Sequence, residues 1–547
     1  MKKNKLIQAG VIAIILILGT GCDSLLDKNP LDSLSTSTFW KTESDALLAL
    51  TGVYQQNGMT GTGAKQSFNL WNQDTHLRLF EATTDNGFEK DNNVTDFNNG
   101  DLASSYGPVS ELWATTYKSI VKCNNFLENI DKVSMDAFKL EEMKAEVKTI
   151  RAFDYFYLAF LWGDIPLVTK VLSVNEANSV SRDPKNKVIE FIISELQSAI
   201  PNLPTTRSDK EYGRITKGGA LGILGRIFLS EKRWEDAKNT YKQIIDLGIY
   251  SIDSRFSDLF IEKGENSKEF LLISKRMPEI YGNSILLSCV GFTWGGYHHY
   301  SPYNELVDEF ECTDGKYIKE SPLFESEKPY ENRDPRLLKT IMVDNISEYK
   351  GTLYIAHPDS SPTLYQDQLT RRPWSGYMVR KFCDESYTGN LRTYGCDFPM
   401  IRYAEVLLSY LEANIESGSA ITQNLLDETI NKVRGRAEIK MPPVIETDPN
   451  KLTTILRRER RVELAWEGLR LFDLFRWRTA HTLLKGRFHG MKVCSKEKAP
   501  TYTKVPVNSE GYYFCEETNF RENVDYLWPI PQSERDVNSN LTQNNGY

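Results

Sequence analysis

The segment between residues 216 and 248 constrains the fold of this chain most strongly. Its apolar and small side chains recur at the spacing of a tetratricopeptide repeat: Leu221-x2-Leu224-Gly225-x2-Phe228 and Ala237-x3-Tyr241. Leucine replaces the tryptophan that usually opens this pattern. Gly225 and Ala237 allow two antiparallel helices to approach closely. Thr216 is the expected N-cap and Gly248 the expected C-terminal stop. Because one repeat cannot bury its apolar face alone, further helices must pack against it.

Other segments of the chain show the same helical periodicity of apolar residues. The predicted helices span residues 113–130, 136–162, 187–200, 401–416, 425–437 and 452–466. They form two blocks, about 110–248 and about 400–480, on either side of a Gly-, Pro-, Tyr- and Trp-rich region at about 249–399 that contains short strand-like runs such as Phe270–Ser274. We therefore predict a mainly α fold in which helical hairpins form the scaffold. The inserted loop-rich region is expected to carry the ligand face, because long loops in compact proteins usually carry function.

The N-terminus has the organisation of a lipoprotein signal peptide. Lysines at positions 2, 3 and 5 precede an apolar run at 11–18, which is too short to span a membrane as a mature helix. The run ends in Gly19-Thr20-Gly21-Cys22, with small residues where a lipoprotein signal peptidase cuts. We predict that residues 1–21 are removed and that Cys22 carries the lipid anchor. The alternative is an ordinary secretory signal followed by an incidental cysteine.

Composition excludes several classes of protein. The net charge of -8 offers no electrostatic footprint for nucleic acid, and a mean hydropathy of -0.44 is typical of a body that lies in water. The seven cysteines after Cys22 show no metal-binding spacing. Cys383 with Cys396, or Cys494 with Cys515, could form disulfides, and free buried thiols are an equal alternative.

A search for catalytic, cofactor and metal motifs finds none. None of the six histidines lies in a ligand pair at helical spacing, and the adjacent His298 and His299 would point apart in an extended chain. No nucleophile elbow occurs. We therefore expect no metal, no cofactor and no catalysis. Carboxylate pairs abound in a chain with 74 acidic residues, so glycosidase chemistry stays open as an alternative.

Charged residues cluster near the end of the second helical block. Four arginines at 457, 458, 460 and 461 alternate with Glu459, Glu463 and Glu467, so the cluster is nearly neutral. We interpret it as intramolecular ion pairing that holds helices together rather than as an anion site. The same interpretation applies to Arg333, Asp334 and Arg336, and to Asp473, Arg476 and Trp477.

A series of short motifs recurs in order along nearly the whole mature chain. They are Leu26-Asp27-x2-Pro30, Phe39-Trp40-x-Thr42-Glu43-x-Asp45-Ala46, Gly52-Val53-Tyr54, Glu146-x3-Ile150-Arg151-Ala152-Phe153-x-Tyr155-Phe156, Trp162-Gly163-Asp164-Ile165-Pro166-Leu167, Gly213-Arg214-Ile215-Thr216-Lys217, Asn332-Arg333-Asp334-Pro335-Arg336-Leu337, Arg402-Tyr403-Ala404-Glu405-Val406-Leu407-Leu408, Arg458-Glu459-Arg460-Arg461-x-Glu463-Leu464, Glu467-Gly468-x-Arg470 and Trp528-Pro529-Ile530-Pro531. In this order the chain resembles the SusD/RagB family of outer-membrane nutrient-binding lipoproteins.

The resemblance implies both an architecture and a function. It implies one globular unit over residues 22–547, with four helical hairpins on one side and the loop-rich insertion on the other. It implies a lipid-anchored protein of the bacterial cell surface that captures oligosaccharides, or in some members peptides, and delivers them to a SusC-like TonB-dependent transporter in the outer membrane. A surface hydrolase is the alternative from a different class of protein.

Two loop regions combine aromatic rings with amides and carboxylates, the mixture that sugar recognition needs. The candidate ligand-binding residues are Trp71, Asn72 and Asp85 in the first region and Trp294, Tyr297 and Tyr300 in the second. Glycines beside Trp294 would leave its ring accessible. The loop at 374–377 is the next candidate. The alternative is that these aromatics belong to the core or to a transporter interface.

Overall fold

The computed structural model describes residues 39–55, 68–90, 94–361, 366–372 and 374–547. The predicted signal peptide and Cys22 lie outside these residues. The helices are α1 (Glu43–Tyr54), α2 (Gln73–Phe80), α3 (Thr95–Asn99), α4 (Gly107–Asn129), α5 (Ala137–Trp162), α6 (Val174–Ala177), α7 (Lys185–Ala199), α8 (Lys217–Ser230), α9 (Trp234–Asp246), α10 (Ile285–Cys289), α11 (Asn304–Val307), α12 (Arg336–Thr340), α13 (Tyr403–Glu416), α14 (Gln423–Glu428), α15 (Ile430–Arg434), α16 (Pro449–Glu463), α17 (Arg470–Arg476), α18 (Ala480–Leu483) and α19 (Gln532–Val537).

The strands are short and form small antiparallel sheets. They are β1 (Thr83–Thr84), β2 (Gly87–Glu89), β3 (Phe270–Ser274), β4 (Tyr300–Pro302), β5 (Ile341–Met342), β6 (Glu348–Tyr349), β7 (Thr352–Leu353), β8 (Met378–Val379), β9 (Phe398–Arg402), β10 (Gly486–Lys492) and β11 (Tyr512–Thr518). The sheets have the orders β1-β2-β4, β3-β9, β5-β8, β6-β7 and β10-β11. The prediction of a mainly α fold is confirmed.

The long helices pack in sequence against one another, from α4 to α5, α7, α8, α9, α13 and α16. Because α9 packs directly on α13, the two helical blocks form one continuous stack, and the chain between them loops out and returns. The region at 249–399 is therefore an insertion into the helical scaffold, as predicted. Packing of each long helix against the next one in the chain is typical of stacked helical hairpins.

The hairpin formed by α8 and α9 has the predicted register. Thr216 caps α8 by accepting a hydrogen bond from the backbone N–H of Gly219 at 3.2 Å, and Gly248 ends the hairpin with a φ of 65°. Leu224, Phe228, Ala237 and Tyr241 are buried. A Cβ atom on Gly225 would lie 2.6 Å from the ring of Tyr241, so this close contact requires glycine.

Two predicted helices differ from the observed ones. The segment at 401–416 begins as a strand, because residues 398–402 pair with β3, and α13 starts only at Tyr403. The segment at 425–437 is divided into α14 and α15 at Thr429. The hydroxyl of Thr429 donates to the carbonyl of Leu425 at 2.5 Å, and such side-chain bonds compete with the helix backbone.

The clustered arginines and glutamates pair across elements rather than along one helix. Glu459 and Glu463 of α16 accept hydrogen bonds from arginines of three other segments: Arg336, Arg402, Arg434 and Arg436. Three arginines of the same helix bind carboxylates elsewhere, as Arg460 does with Asp473 at 3.0 Å, whereas Arg457 lies over the ring of Trp477. The predicted role in holding helices together is therefore confirmed, with partners that sequence spacing could not supply.

Two further predictions concern side chains of the interior. Arg476 pairs with Asp473 at 2.8 Å, and the indole N–H of Trp477 donates to Glu412 at 2.7 Å, so the predicted structural network at this place is confirmed. All seven cysteines of the described residues are free thiols, among them the two pairs considered for disulfides. Of the two alternatives, the structure supports free thiols.

We expect Gly225→Leu to lower the free energy of unfolding by about 1–3 kcal/mol, because the larger side chain overpacks the contact with Tyr241. Chemical denaturation followed by circular dichroism measures this change. Gly52→Ala is the matched control: Gly52 lies inside helix α1, and a Cβ atom there would have no neighbouring atom within 4 Å, so this change should stabilise by about 0.5–1 kcal/mol. Equal stability of Gly225→Leu and the unmodified protein would contradict the repeat register.

Candidate functional site

The loop between α10 and β4 folds back onto α10 through its backbone. The N–H groups of Tyr297 and His299 donate to the carbonyls of Leu287 and Ser288, each at 2.8 Å. A 3-10 turn at Phe292–Trp294 ends where Gly295 takes a φ of 82°. A Cβ atom on Gly296 would lie 2.0 Å from the carbonyl oxygen of Val290, so only glycine fits there. The loop is therefore a fixed structure.

The carboxylate of Asp367 holds this loop from below. It accepts hydrogen bonds from the backbone N–H groups of Phe292 at 2.9 Å and Thr293 at 3.0 Å, and from the hydroxyl of Thr293 at 2.7 Å. Burial alone would raise the pKa of Asp367, but its hydrogen bonds and the charge of His298 outweigh burial and hold the pKa below its ordinary value. One buried side chain thus orients the whole turn.

His298 completes this anchor from the following strand. Its Nδ1 lies 3.1 Å from the carboxylate of Asp367, and its Nε2 lies 3.0 Å from the carbonyl oxygen of Tyr377. Both partners only accept hydrogen bonds, so the geometry fits a ring that donates from both nitrogens. The backbone of His298 has a φ of 47°, a conformation that residues other than glycine seldom adopt. The two hydrogen bonds of its ring help to hold this conformation. The sequence predicts no metal site at His298. The described residues contain no group of three or more side chains that could hold a metal ion.

The anchored loop presents three partly exposed rings in a row, which we call the aromatic strip: Phe292, Tyr297 and His299. The ring centres of Phe292 and Tyr297 are 6.5 Å apart, and Tyr297 stacks on His299 at 5.2 Å. Phe292 in turn stacks on the buried ring of Trp374 at 5.4 Å. The strip is thus a row of partly exposed aromatic rings with a rigid support.

Arginines lie at both ends of the strip and beside its centre. The guanidinium of Arg372 lies over the ring of Phe292, 3.9 Å from its centre. Arg392 lies 5.4 Å from the ring of Tyr297 and donates to its hydroxyl. Arg78 contacts Nδ1 of His299 at 3.3 Å and pairs with the buried Glu89 at 3.1 Å. A ligand on the strip would therefore meet both aromatic faces and cationic donors.

Of the six predicted ligand residues, two belong to this loop surface. Tyr297 is part of the strip. Trp294 is partly buried and packs inward, with its ring 5.3 Å from that of Tyr349 and 6.3 Å from that of Tyr354. Its indole nitrogen is buried without a partner among the described residues. Trp294 therefore supports the loop, and the exposed ring expected at this position is supplied by Tyr297 and Phe292.

The other four predicted residues are buried, which corrects the prediction of a surface role: Trp71, Asn72, Asp85 and Tyr300. Trp71 packs on Phe153 with ring centres 5.0 Å apart. Asn72 caps helix α2 by accepting from the N–H of Asp74 at 3.0 Å. Both are therefore used by the fold, and neither offers a face to a ligand.

Asp85 and Tyr300 are also committed to internal contacts. Asp85 binds Arg470 at 2.7 Å and Arg461 at 3.2 Å, and the charges of these arginines hold its pKa below the ordinary value although burial opposes them. The hydroxyl of Tyr300 donates to Asp74 at 3.3 Å. The Trp374–Tyr377 loop, the next candidate, is likewise buried. Residue type alone could not distinguish these inward polar contacts from a binding loop.

Four residues of this site were not predicted from the sequence: Asp367, Phe292, Arg372 and Arg392. Phe292 was within reach, because it lies in the same glycine-flanked stretch as Trp294. Asp367, Arg372 and Arg392 come from segments about 70 to 100 positions away, so only the tertiary fold brings them to the loop. No local pattern distinguishes them from other charged residues.

An open cleft elsewhere in the described residues has a different character. It has a volume of about 510 Å³ and lies beside Lys339, Arg380 and Glu385. Two of its cationic side chains are already paired: Arg380 with Glu385 at 3.0 Å, and Lys339 with Glu438. The aromatic strip is therefore the stronger candidate site.

No helix in the described part of the chain combines the length and apolar character that a membrane span needs.

The fold is thus a scaffold of stacked helical hairpins with an inserted region that presents a row of aromatic rings. Comparison with known proteins identifies its family. Residues 287–547 match the model of the SusD family, and residues 26–229 match a model described as starch-binding and associating with the outer membrane. The chain belongs to the SusD family.

Solved and curated relatives extend over nearly the whole chain. A SusD-like carbohydrate-binding protein of Bacteroides fragilis superposes with a TM-score of 0.87 at 34% identity, covering 92% of this chain and 100% of that one. SusD-like protein P2 of Formosa agariphila is 26% identical over 100% of both chains. The starch-binding protein SusD of Bacteroides thetaiotaomicron is 23% identical, over 100% of this chain and 99% of its own.

We expect Asp367→Ala to loosen the loop, because it removes the shared acceptor of the turn and leaves His298 without its counter-charge. Loss of such a buried partner costs about 3 kcal/mol. Hydrogen exchange of peptides covering residues 291–299 should accelerate. Since the pKa of Asp367 is depressed, its contribution is complete at neutral pH and is lost as the pH falls below the ordinary range of aspartate.

Asp359→Ala is the control for this change, because Asp359 is exposed and pairs only with surface groups such as Lys504. It should leave exchange at residues 291–299 unaltered. Unchanged exchange in Asp367→Ala itself would show that the loop does not depend on this anchor.

Proposed function

We propose that this protein captures oligosaccharides at the aromatic strip and delivers them to a SusC-like TonB-dependent transporter of the outer membrane. The observation that carries the proposal is the row of partly exposed rings at Phe292, Tyr297 and His299, held on a buried anchor. Aromatic faces pack against the C–H surfaces of sugar rings, while nearby donors bind hydroxyl or acidic groups. The family-level description of starch binding and association with the outer membrane supports the same function.

The strip suits capture followed by release. It is an open surface with few rings rather than a closed pocket, so only part of a bound sugar chain loses contact with water. Dissociation constants between micromolar and millimolar correspond to about 8 to 4 kcal/mol of binding free energy. A ligand held this weakly can pass on to a transporter. Rigid support by Asp367 lowers the ordering cost of binding.

We propose that the protein binds without turnover. Among the described residues, the carboxylates that contact the strip or the cationic side chains around it are Asp367 and Glu89. Both are buried, and both already accept from positively charged or backbone donors. Glycoside hydrolysis needs two carboxyl groups that flank the scissile bond, one of them able to give up a proton. Neither buried group is placed for that role, which favours binding over hydrolysis.

We expect Tyr297→Ala and Phe292→Ala each to weaken glycan binding by at least about tenfold, because loss of one stacking face removes about 1.4 kcal/mol or more. Isothermal titration or affinity electrophoresis against a panel of glycans measures the loss. Phe138→Ala is the matched control, since Phe138 is an aromatic residue that is 87% exposed on helix α5. Normal glycan binding by both strip variants would place the site elsewhere. Binding only to peptides would favour the peptide-capturing alternative.

The anchor of the protein is the second part of the proposal. We propose that Cys22 is lipidated and that residues 1–21 are then removed, so that the lipid would hold the protein on the membrane without a spanning helix. Cys22→Ala should release the protein from membrane fractions of cells that lack the transporter. Cys494→Ala, at a cysteine that lies in the folded body, should not. Retention of Cys22→Ala in the outer membrane of such cells would refute the assignment.

A further inference from the structure

The two arginines that flank the strip lack acidic partners among the described residues. The guanidinium of Arg372 makes no hydrogen bond there, and its Nε is buried without a partner. Arg392 is exposed and makes its side-chain hydrogen bond to the hydroxyl of Tyr297. No carboxylate of the described residues lies within ion-pair distance of either arginine. The two arginines therefore place unpaired positive charge at the strip of a chain whose net charge is -8.

Other arginines that lie over aromatic rings differ in their partners: among the described residues, Arg457 over Trp477 and Arg478 over Tyr526 have no carboxylate within ion-pair distance. Arg487 offers the closest comparison, because it also lies over an aromatic ring, 5.7 Å from that of Phe514, and yet pairs with Glu517 at 3.4 Å. Stacking on a ring therefore does not by itself prevent an arginine from finding a carboxylate. The strip keeps its two guanidiniums available instead.

A guanidinium beside an aromatic ring can still bind an anion, because its N–H groups that do not face the ring can form two parallel bonds to a carboxylate or sulfate. Arg372 is 3.9 Å from the centre of the Phe292 ring and 5.6 Å from that of Trp374. A neutral sugar can accept hydrogen bonds from these arginines through its hydroxyl oxygens, but an ionised carboxylate or sulfate forms the stronger, charge-assisted bonds.

We propose that the strip selects anionic oligosaccharides, with sugar faces on Phe292 and Tyr297 and carboxylate or sulfate groups on Arg372 and Arg392. The inference rests on the proposed function and names its ligand class. Arg78 adds positive charge at the far end, beside His299, where Glu89 offsets part of it. The local surface is thus positive on a protein that is negative as a whole.

Acidic peptides carry the same charges, but the loop is poorly suited to them. Extended peptides bind by adding to a strand edge through main-chain hydrogen bonds. The N–H groups of Tyr297, His298 and His299 are already bound to carbonyls of residues 287–290, and the carbonyl of His299 accepts from Lys90. The loop therefore offers side-chain faces rather than a free backbone edge, and this favours sugar rings.

The test compares glycans that differ only in charge. Homogalacturonan is paired with its fully methyl-esterified form, and a sulfated galactan with its desulfated form. We expect the unmodified protein to bind at least one charged form at least about tenfold more tightly than its neutral counterpart. This preference should shrink as sodium chloride rises from about 0.05 to 0.5 M, because salt screens charge pairs at the surface.

Two variants and a matched control locate the effect. Arg372→Gln and Arg392→Gln should each weaken binding of the charged form by about tenfold and leave binding of the neutral form unchanged. Arg487→Gln, which removes a stacked arginine from another part of the surface, should alter neither. Circular dichroism confirms that each variant is folded, and the comparison of charged with neutral glycans needs no variant at all.

Different negative results would overturn the anionic selectivity, the assignment to the strip or the proposed function. Equal binding of charged and neutral glycans, or binding that does not respond to salt, overturns the anionic selectivity and leaves the proposed glycan capture intact. Charge-dependent binding that survives both arginine substitutions overturns the assignment to the strip. Binding of polyglutamate peptides with no binding of any glycan overturns both the selectivity and the proposed function, as does the absence of binding to every glycan.

Discussion

Glu463 lies where the separate parts of this molecule meet. Its carboxylate binds Arg336 at 2.9 Å, Arg402 at 2.7 Å and Arg436 at 2.9 Å, and all of these side chains are buried. Burial alone would raise the pKa of Glu463, but the charges of its three arginines outweigh burial and hold the pKa well below its ordinary value. Because a buried charge without a partner costs several kcal/mol, each arginine fixes the position of its own segment relative to helix α16.

This charge network explains how an insertion of about 150 residues can be rigid. Arg336 begins a helix within the insertion, whereas Arg402 ends the strand that leads back into the scaffold. These ion pairs join the insertion to the helical stack. The aromatic strip repeats the principle on a smaller scale, since buried Asp367 binds the turn and His298 together. Both the Glu463 network and the Asp367 anchor use a buried carboxylate to hold together segments that are distant in sequence.

The elements that follow local rules were predictable. Helix α5 begins after its cap at Asp136 and ends at Gly163, as the sequence indicates, because capping and glycine stops act within one turn. The interpretation of 401–416 as helix throughout was wrong at its start, since pairing with β3 overrides local periodicity there. The candidate site was predictable only in part: Tyr297 lies on the surface, but Asp85 pairs with arginines almost 400 positions away.

By itself the sequence determined the helical scaffold, the position of the insertion and the family, because periodicity, capping and ordered motifs are local properties of the chain. It also determined that arginines and glutamates of α16 hold helices together, since their interleaved charges nearly cancel. Only the tertiary structure decided which of the loop aromatics face the solvent and which cations accompany them. Exposure depends on contacts between segments far apart in the chain, as when Arg372 and Arg392 converge on a loop that neither precedes nor follows them closely.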